Sequence, residues 1–180
     1  MKIVSIIPAR HESLRFPAKL MQLLGGKTLI LRTYENVLST GLFDQVIVAT
    51  DSKIIYDEIF SNGGKVVMTK TSHQCGSDRI AEAVIGIDTD VVINVQGDEP
   101  IINPLDIKKV VKASRKYPGE IINGMATIEN KKEFFNPSIP KIVVPGINKV
   151  SINIRIIPNT NNNPKIKISI FNKLYQKQLN

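Results

Sequence analysis

The sequence has 180 residues, which is enough for one domain with a hydrophobic core and short for two. Its composition, 42% hydrophobic and 22% charged, is typical of a soluble globular protein. Cys75 is the only cysteine, which excludes an intramolecular disulfide and fits a cytoplasmic location. Every apolar run is shorter than a signal peptide or a membrane span, so no membrane partner is expected.

The positive charge is concentrated at the end of the chain. The formal net charge is +8, and seven of the 24 basic residues but none of the 16 acidic residues lie between positions 134 and 180. Positions 1–133 therefore carry 17 basic and 16 acidic residues, which is nearly neutral. No nucleic-acid partner is expected, because the basic tail lacks regularly interleaved aromatic side chains.

Apolar runs and breaker residues predict alternating strands and helices along the chain. Thr28 and Gly41 are expected to cap one helix at its two ends, and Pro104 stands where the first turn of another helix would begin. In chain order we expect a strand at 3–7, a loop at 8–27, a helix at 28–40, a strand at 44–51, a helix ending near 61, a strand at 65–68, a helix at 77–85, a strand at 90–95, a helix at 104–117 and a strand at 121–128.

This alternation predicts right-handed βαβ units, hence an α/β fold with a mainly parallel sheet and helices on both faces. In such sheets, ligands bind beyond the carboxyl ends of the strands. The segments with chemically notable residues all follow predicted strands; they are 8–19, Asp51, 70–79 and 96–100. We expect one α/β domain at 1–135, followed at 136–180 by a short basic segment rich in Asn, Ile and Lys.

The loop after the first strand carries three cations, Arg10, Arg15 and Lys19. Backbone amides and cationic side chains in such a loop can hold the oxygens of a triphosphate. A solvated basic loop is an equally good interpretation on charge alone. The loop is not a Walker P-loop, because no G-x-x-x-x-G-K-[ST] pattern occurs.

Two further segments could complete an anion and metal site. Asp98 follows the strand at 90–95 and adjoins Gly97, an arrangement suited to holding Mg²⁺, although an acidic turn has the same local pattern. In the segment 73–79, Ser77 could cap the following helix and Arg79 could neutralise phosphate. An ordinary capped helix is the simpler interpretation of that segment.

Taken together, these segments resemble the CMP-KDO synthetases, also called 3-deoxy-manno-octulosonate cytidylyltransferases. The resemblance covers roughly residues 1–144. It rests on four motifs in the family's order, Pro8-Ala9-Arg10…Ser13…Arg15-Phe16-Pro17-Ala18-Lys19, Ala49-Thr50-Asp51, His73-Gln74…Gly76-Ser77-Asp78-Arg79-Ile80-Ala81-Glu82 and Asn94-Val95-Gln96-Gly97-Asp98-Glu99-Pro100.

The resemblance implies a Rossmann-like, three-layer fold of the nucleotide-diphospho-sugar transferase type, with its C-terminal part incomplete here. It implies transfer of CMP from CTP to the acidic eight-carbon sugar KDO, with Mg²⁺ as cofactor, and a homodimer. Arg10, Lys19 and Asp98 would act in catalysis, with Asp98 as the metal ligand. The residues implied to bind the nucleotide are Pro8, Ala9, Arg10, Arg15, Lys19, Gly76, Ser77, Asp78, Arg79 and Gln96.

The last quarter of the sequence departs from the family pattern. No Asp or Glu follows Glu133, although the family has a second metal-binding aspartate in its later part. From Ser151 onward the sequence contains no Asp, Glu, Val, Ala or Gly. These five residues are the ones encoded by codons beginning with G. We therefore hypothesise a shifted reading frame or a decayed gene, with a genuine short variant as the alternative; sequencing the locus would reject the shift if the frame is intact and relatives share this tail.

Three functions remain open on the sequence alone. The first is the KDO cytidylyltransferase of lipopolysaccharide synthesis. The second is a cytidylyltransferase for another acidic sugar, such as a sialic acid or an amino-ulosonate. The third is a nucleotide-binding remnant that binds CTP without completing the transfer.

Overall fold

The computed structural model describes residues 1–11, 18–124, 132, 135 and 136, together with the backbone of three short strands between 149 and 178. The described strands are β1 (Ile3–Ala9), β2 (Leu23–Leu24), β3 (Lys27–Thr28), β4 (Gln45–Thr50), β5 (Val66–Met68), β6 (Val91–Val95), β7 (Lys149–Val150), β8 (Lys167–Phe171) and β9 (Lys177–Gln178). The described helices are a 3₁₀ turn (Lys19–Met21), α1 (Leu29–Ser39), α2 (Lys53–Ser61), α3 (Gly76–Ala83) and α4 (Pro104–Lys116).

The central sheet has the order β5-β4-β1-β6-β8, and every neighbouring pair in it is parallel. The register places Ile6 of β1 opposite Ile47 of β4 on one side and Asn94 of β6 on the other. The chain moves outward from β1 to β4 and β5, and then crosses to β6 on the opposite side of β1. This reversal makes the β1–β6 junction the topological switch point, where open α/β sheets form their ligand crevice.

Helices cover both faces of the sheet, which gives the three-layer α/β architecture expected from the sequence. Alternate residues of β1 divide between the faces, so that Ile3 and Ile7 pack with α1, α2 and α4, whereas Val4 and Ile6 pack with α3. The β1 strand is buried along its whole length, as a central parallel strand with two covered faces must be. None of the described helices is long and apolar enough to span a bilayer.

The local sequence signals place most helix and strand ends correctly. Thr28 caps α1 by accepting a hydrogen bond from the Leu31 amide, and Gly41 just beyond the helix has φ 62°, a conformation that favours glycine. Asn103 caps α4, with Pro104 as its first residue. The expected elements between residues 3 and 117 are therefore present, with ends that differ by one or two residues.

Two expectations for the elements were wrong or only partly tested. The region 8–27, expected to be loop, contains the 3₁₀ turn and most of a short antiparallel hairpin, β2–β3, whose turn is formed by Gly25 and Gly26 with φ 58° and 83°. In the expected strand 121–128, residues 121–124 show only an isolated bridge at position 123, and the remaining positions lie outside the described residues.

Strand β8 comes from the basic C-terminal segment and still joins the central sheet, pairing with β6 from Lys167 opposite Val91 to Phe171 opposite Val95. β7 and β9 form a separate two-stranded antiparallel sheet. The boundary near residue 135 and the shifted-frame hypothesis stay predictions.

The buried hydroxyl of Ser5 allows a test of how the core of the sheet contributes to stability. Its hydroxyl is fully buried in β1 and has no hydrogen-bond partner among the residues that the structure describes. Because an unsatisfied buried hydroxyl costs free energy, Ser5→Ala is expected to raise the free energy of unfolding by about 1 kcal/mol, measured by urea denaturation. Thr33→Val is the matched control, since it deletes a hydroxyl that bonds Gly97 O at 2.9 Å, and should lower stability. A less stable Ser5→Ala variant would contradict the prediction.

Candidate functional site

The β1–β6 switch point brings together two residues that lie 79 positions apart. Lys19 Nζ donates to Asp98 Oδ2 at 2.5 Å. The two side chains are 44% and 43% exposed, so the pair lies at the mouth of the crevice rather than in the core. The cation predicted to hold phosphate and the carboxylate predicted to hold Mg²⁺ are therefore direct neighbours.

The backbone before Lys19 holds this cation at the sheet edge. Ala18 has a left-handed conformation with φ 52° and precedes the 3₁₀ turn that carries Lys19. The Ala18 amide donates to His11 O at 3.2 Å, which joins the two ends of the segment 12–17. Arg15, predicted to grip phosphate, belongs to that segment and lies outside the described residues.

Helix α1 holds the loop that carries Asp98. Thr33 Oγ1 donates to Gly97 O at 2.9 Å, and Asn36 Nδ2 donates to Ile102 O at 2.9 Å and Pro100 O at 3.2 Å. These bonds fix the loop on both sides of the carboxylate. Thr33 and Asn36 were not predicted from the sequence, although two polar residues three positions apart on a helix that packs against the core are a usable signal.

Helix α3 approaches the same edge through its first residue. A Cβ placed on Gly76 would lie 3.2 Å from Pro8 Cγ and 3.9 Å from Gln96 Oε1, so glycine permits this close packing. Gln96 in turn donates from Nε2 to Asn94 Oδ1 at 3.0 Å. The predicted nucleotide-binding residues Pro8, Gly76 and Gln96 are thus brought together around the end of β1.

The expectation that Ser77 caps α3 was wrong. The helix begins at Gly76, its N-cap residue is Cys75, and no side chain makes a capping bond. Ser77 lies inside the first turn and is buried, while Asp78 in the same turn is half-buried. Because the cap is extended backbone at Cys75, the amides at the start of α3 are not occupied by a capping side chain.

Arg79 lies in the interior, with a side chain only 4% exposed. Its guanidinium donates to Asp51 Oδ2 at 2.5 Å and to Thr69 Oγ1. The three residues come from α3, the end of β4 and the end of β5, so they fasten the helix to two strand ends. A contact between Arg79 and a nucleotide stays a prediction, because both of these guanidinium bonds go to protein groups.

A cleft of about 420 Å³ opens beside Asp51, on the β4–β5 side of β1. Ala9 ends β1 in the core, and the next residue, Arg10, is exposed and forms part of the cleft wall. The wall of the cleft combines the Arg10 guanidinium and the Asp51 carboxylate with hydroxyl and imidazole groups, so the cleft can accept a polar ligand. The residues that line it are Arg10, His11, Asp51, Ser52, Thr71 and His73.

Glu82 of α3 contacts His73, one of the residues that line this cleft. Its Oε2 atom accepts a hydrogen bond from the Lys70 amide at 3.0 Å and also contacts His73 Nε2. The hydrogen bond with His73, followed by the bond from the Lys70 amide, lowers the pKa of the Glu82 carboxyl below its ordinary value of 4.5. Glu82 belongs to one of the four sequence motifs, but its local pattern predicts no role for it.

The lowered pKa of Glu82 predicts a pH-dependent contribution to stability. The carboxylate stabilises the folded chain fully above its ordinary pKa of 4.5, and this contribution is lost as the pH falls through the lowered pKa. We expect the difference in free energy of unfolding between wild type and Glu82→Gln to be present above pH 4.5 and to shrink as the pH falls below it. Urea denaturation at several pH values measures it, and a difference that does not change with pH would contradict the assignment.

The donor atoms near Asp98 fit a hard divalent cation better than a soft one. No group of three or more His, Cys, Asp or Glu residues is placed to hold a metal within the ranges that the structure describes. Asp98 offers an exposed carboxylate, and Mg²⁺ is commonly held by one or two protein carboxylates together with phosphate oxygens and water. Asp98 could therefore hold Mg²⁺ together with phosphate oxygens and water.

Known proteins with similar sequences belong to the family that the four sequence motifs resemble. A 3-deoxy-manno-octulosonate cytidylyltransferase from Flavobacterium johnsoniae is 53% identical over 147 residues, which cover 80% of this chain and 60% of that protein. The enzyme of the same name from Christiangramia forsetii is 47% identical over 145 residues, covering 79% and 58%. This chain therefore spans about three fifths of the length of these relatives.

A solved structure extends the similarity to three dimensions. The structure of CMP:2-keto-3-deoxy-manno-octonic acid synthetase complexed with CTP superimposes with a TM-score of 0.76 at 33% identity, covering 83% of this chain and 62% of that one. The model of the family described as "Cytidylyltransferase" matches residues 4–173. The chain therefore belongs to the cytidylyltransferase family.

Proposed function

We propose that this chain binds CTP at the carboxyl edge of its sheet and transfers CMP to 3-deoxy-D-manno-octulosonate, with release of pyrophosphate. The observation that carries the proposal is the contact of Lys19 with Asp98 at 2.5 Å across the switch point. The 33% identical synthetase complexed with CTP supports the choice of nucleotide. Supply of an activated sugar for lipopolysaccharide follows from the same proposal.

The described groups suit the proposed binding of a triphosphate. Arg10 and Lys19 provide positive charge on two sides of the end of β1, and the amides at the start of α3 add hydrogen-bond donors. Arg15 would add a third cation. Pro8, Ala9, Gly76, Ser77, Asp78, Arg79 and Gln96 would lie along the nucleotide.

Magnesium would change the partner of Lys19. In the described structure the Lys19 ammonium and the Asp98 carboxylate neutralise each other. A Mg²⁺ ion held by Asp98 would supply charge for the phosphate oxygens. Lys19 would then be free to donate to the α-phosphate, where negative charge grows during transfer.

The proposed reaction is an in-line displacement at phosphorus. The anomeric hydroxyl of the sugar forms a bond to the α-phosphorus and loses its proton to water, while the bond from that phosphorus to the bridging oxygen breaks and pyrophosphate leaves. The protein forms no covalent bond in this step. Its contribution is to hold the two reactants in line and to stabilise charge.

The identity of the acceptor sugar and the oligomeric state rest on fewer observations than the binding of CTP. The relatives are named for 3-deoxy-manno-octulosonate, which favours this sugar over a sialic acid or an amino-ulosonate. A homodimer and a cytoplasmic location stay predictions. Nucleotide binding without transfer is the second candidate, because positions 134–180 contain no Asp or Glu.

Pyrophosphate release by the purified 180-residue chain, with CTP, Mg²⁺ and the sugar, tests the proposal. Release that requires 3-deoxy-D-manno-octulosonate and is not supported by a sialic acid or an amino-ulosonate would establish the transferase and its acceptor. Binding of CTP with no release for any sugar would favour the second candidate. A chain that neither binds CTP nor releases pyrophosphate would contradict both.

A further inference from the structure

We propose that Glu82 is a positioning residue for the cleft, because it sets the place of the loop between β5 and α3 (residues 69–75) that forms one wall. The inference rests on the proposed function, since the cleft is taken to receive part of the nucleotide. Thr71 and His73 of this loop line the cleft, and Glu82 lies behind them on α3.

The loop has little apolar packing to fix its position. Residues 69–74 read Thr-Lys-Thr-Ser-His-Gln and include no large apolar side chain. Positions 70–72 and 74 are exposed, and only position 69 is buried. Hydrogen bonds and ion pairs therefore determine the position of this loop.

These bonds come mainly from one face of α3. Arg79 holds the start of the loop through Thr69, whose amide also donates to Thr50 O at 2.8 Å. Glu82, three residues further along the helix and on the same face, holds the middle of the loop through the Lys70 amide and His73. The helix thus fastens the loop at two points.

The Glu82 side chain uses one oxygen for both contacts. Oε2 accepts from the Lys70 amide and contacts His73 Nε2. Replacement by alanine removes both contacts, whereas replacement by glutamine keeps one oxygen as acceptor and removes only the charge. The two variants therefore separate the loss of the contacts from the loss of the charge.

Amide hydrogen exchange without nucleotide and calorimetric titration with CTP test the inference together. We expect Glu82→Ala to exchange faster at residues 70–75, with α4 unchanged, and to bind CTP about tenfold more weakly, as with other residues that hold a ligand-contacting group in place. Glu82→Gln is expected to retain most of the protection and affinity. Glu35→Ala is the matched control, because it removes a carboxylate of α1 that is paired with Lys27 of β3. Its hydrogen exchange and CTP affinity should resemble those of wild type.

The two measurements also separate this inference from the proposed function. Unchanged exchange at residues 70–75 in Glu82→Ala would overturn the inference, as would faster exchange with unchanged CTP affinity. If the wild-type chain fails to bind CTP, the proposed function is wrong. The exchange comparison alone then decides whether Glu82 positions the loop.

Discussion

Asp98→Asn is expected to reduce Mg²⁺-dependent pyrophosphate release by about 1000-fold, the upper range for loss of one group that stabilises transition-state charge. The amide is a weak ligand for Mg²⁺, and it also leaves Lys19 without its carboxylate partner. The variant should equally lose the Mg²⁺-dependent part of CTP binding, so binding can be measured even without turnover.

This loss should occur without unfolding. The Lys19–Asp98 pair is nearly half exposed, and such pairs contribute only about 0–1 kcal/mol to stability. Glu35→Gln is the control, because Glu35 of α1 forms a comparable ion pair with Lys27 of β3. The distance between the charged atoms is 2.6 Å, and the side chains of Lys27 and Glu35 are 48% and 42% exposed. Pyrophosphate release by Asp98→Asn at close to the wild-type rate would contradict the assignment of Asp98.

Arg79→Met is expected to lower the free energy of unfolding by about 3 kcal/mol, because it breaks a buried ion pair by removing one partner. Asp51, whose side chain is 17% exposed, would be left without its cation, and Thr69 would lose its donor. Urea denaturation followed by far-UV circular dichroism measures the change.

A second substitution separates the ion pair from simple loss of packing. Adding Asp51→Asn to Arg79→Met removes the unpaired charge, so the double variant should be more stable than the sum of the single changes predicts. Arg115→Met, at an exposed position of α4, should change stability by no more than about 0.5 kcal/mol. The interpretation would be wrong if Arg79→Met were as mild as this control.

The fold was largely predictable because its signals are local. A β-branched run marks β1, and Thr28 before α1 and Asn103-Pro104 at the start of α4 satisfy backbone groups within the same turn. The β2–β3 hairpin escaped prediction because two-residue strands are too short to show a period. Only the Gly25-Gly26 pair at its turn carried a signal.

The site was predictable as a set of segments but not as a set of contacts. Parallel strands bring their carboxyl ends to one edge, so Lys19 and Asp98 could be expected near each other. Their direct contact depends on a left-handed Ala18 and on bonds from α1 to a loop 64 positions away, which no local pattern encodes. The same limit explains why the ion pair between Arg79 and Asp51 was not predicted.

A calorimetric titration of CTP into the wild-type chain and into Lys19→Met, with and without Mg²⁺, tests most directly the claim that the carboxyl edge is a nucleotide site. We predict one CTP bound per wild-type chain, tighter with Mg²⁺, and binding at least tenfold weaker in Lys19→Met, since a charged donor to phosphate is worth about 1.5–3 kcal/mol. Absence of binding by a folded wild-type chain, or equal affinity in Lys19→Met, would contradict this account.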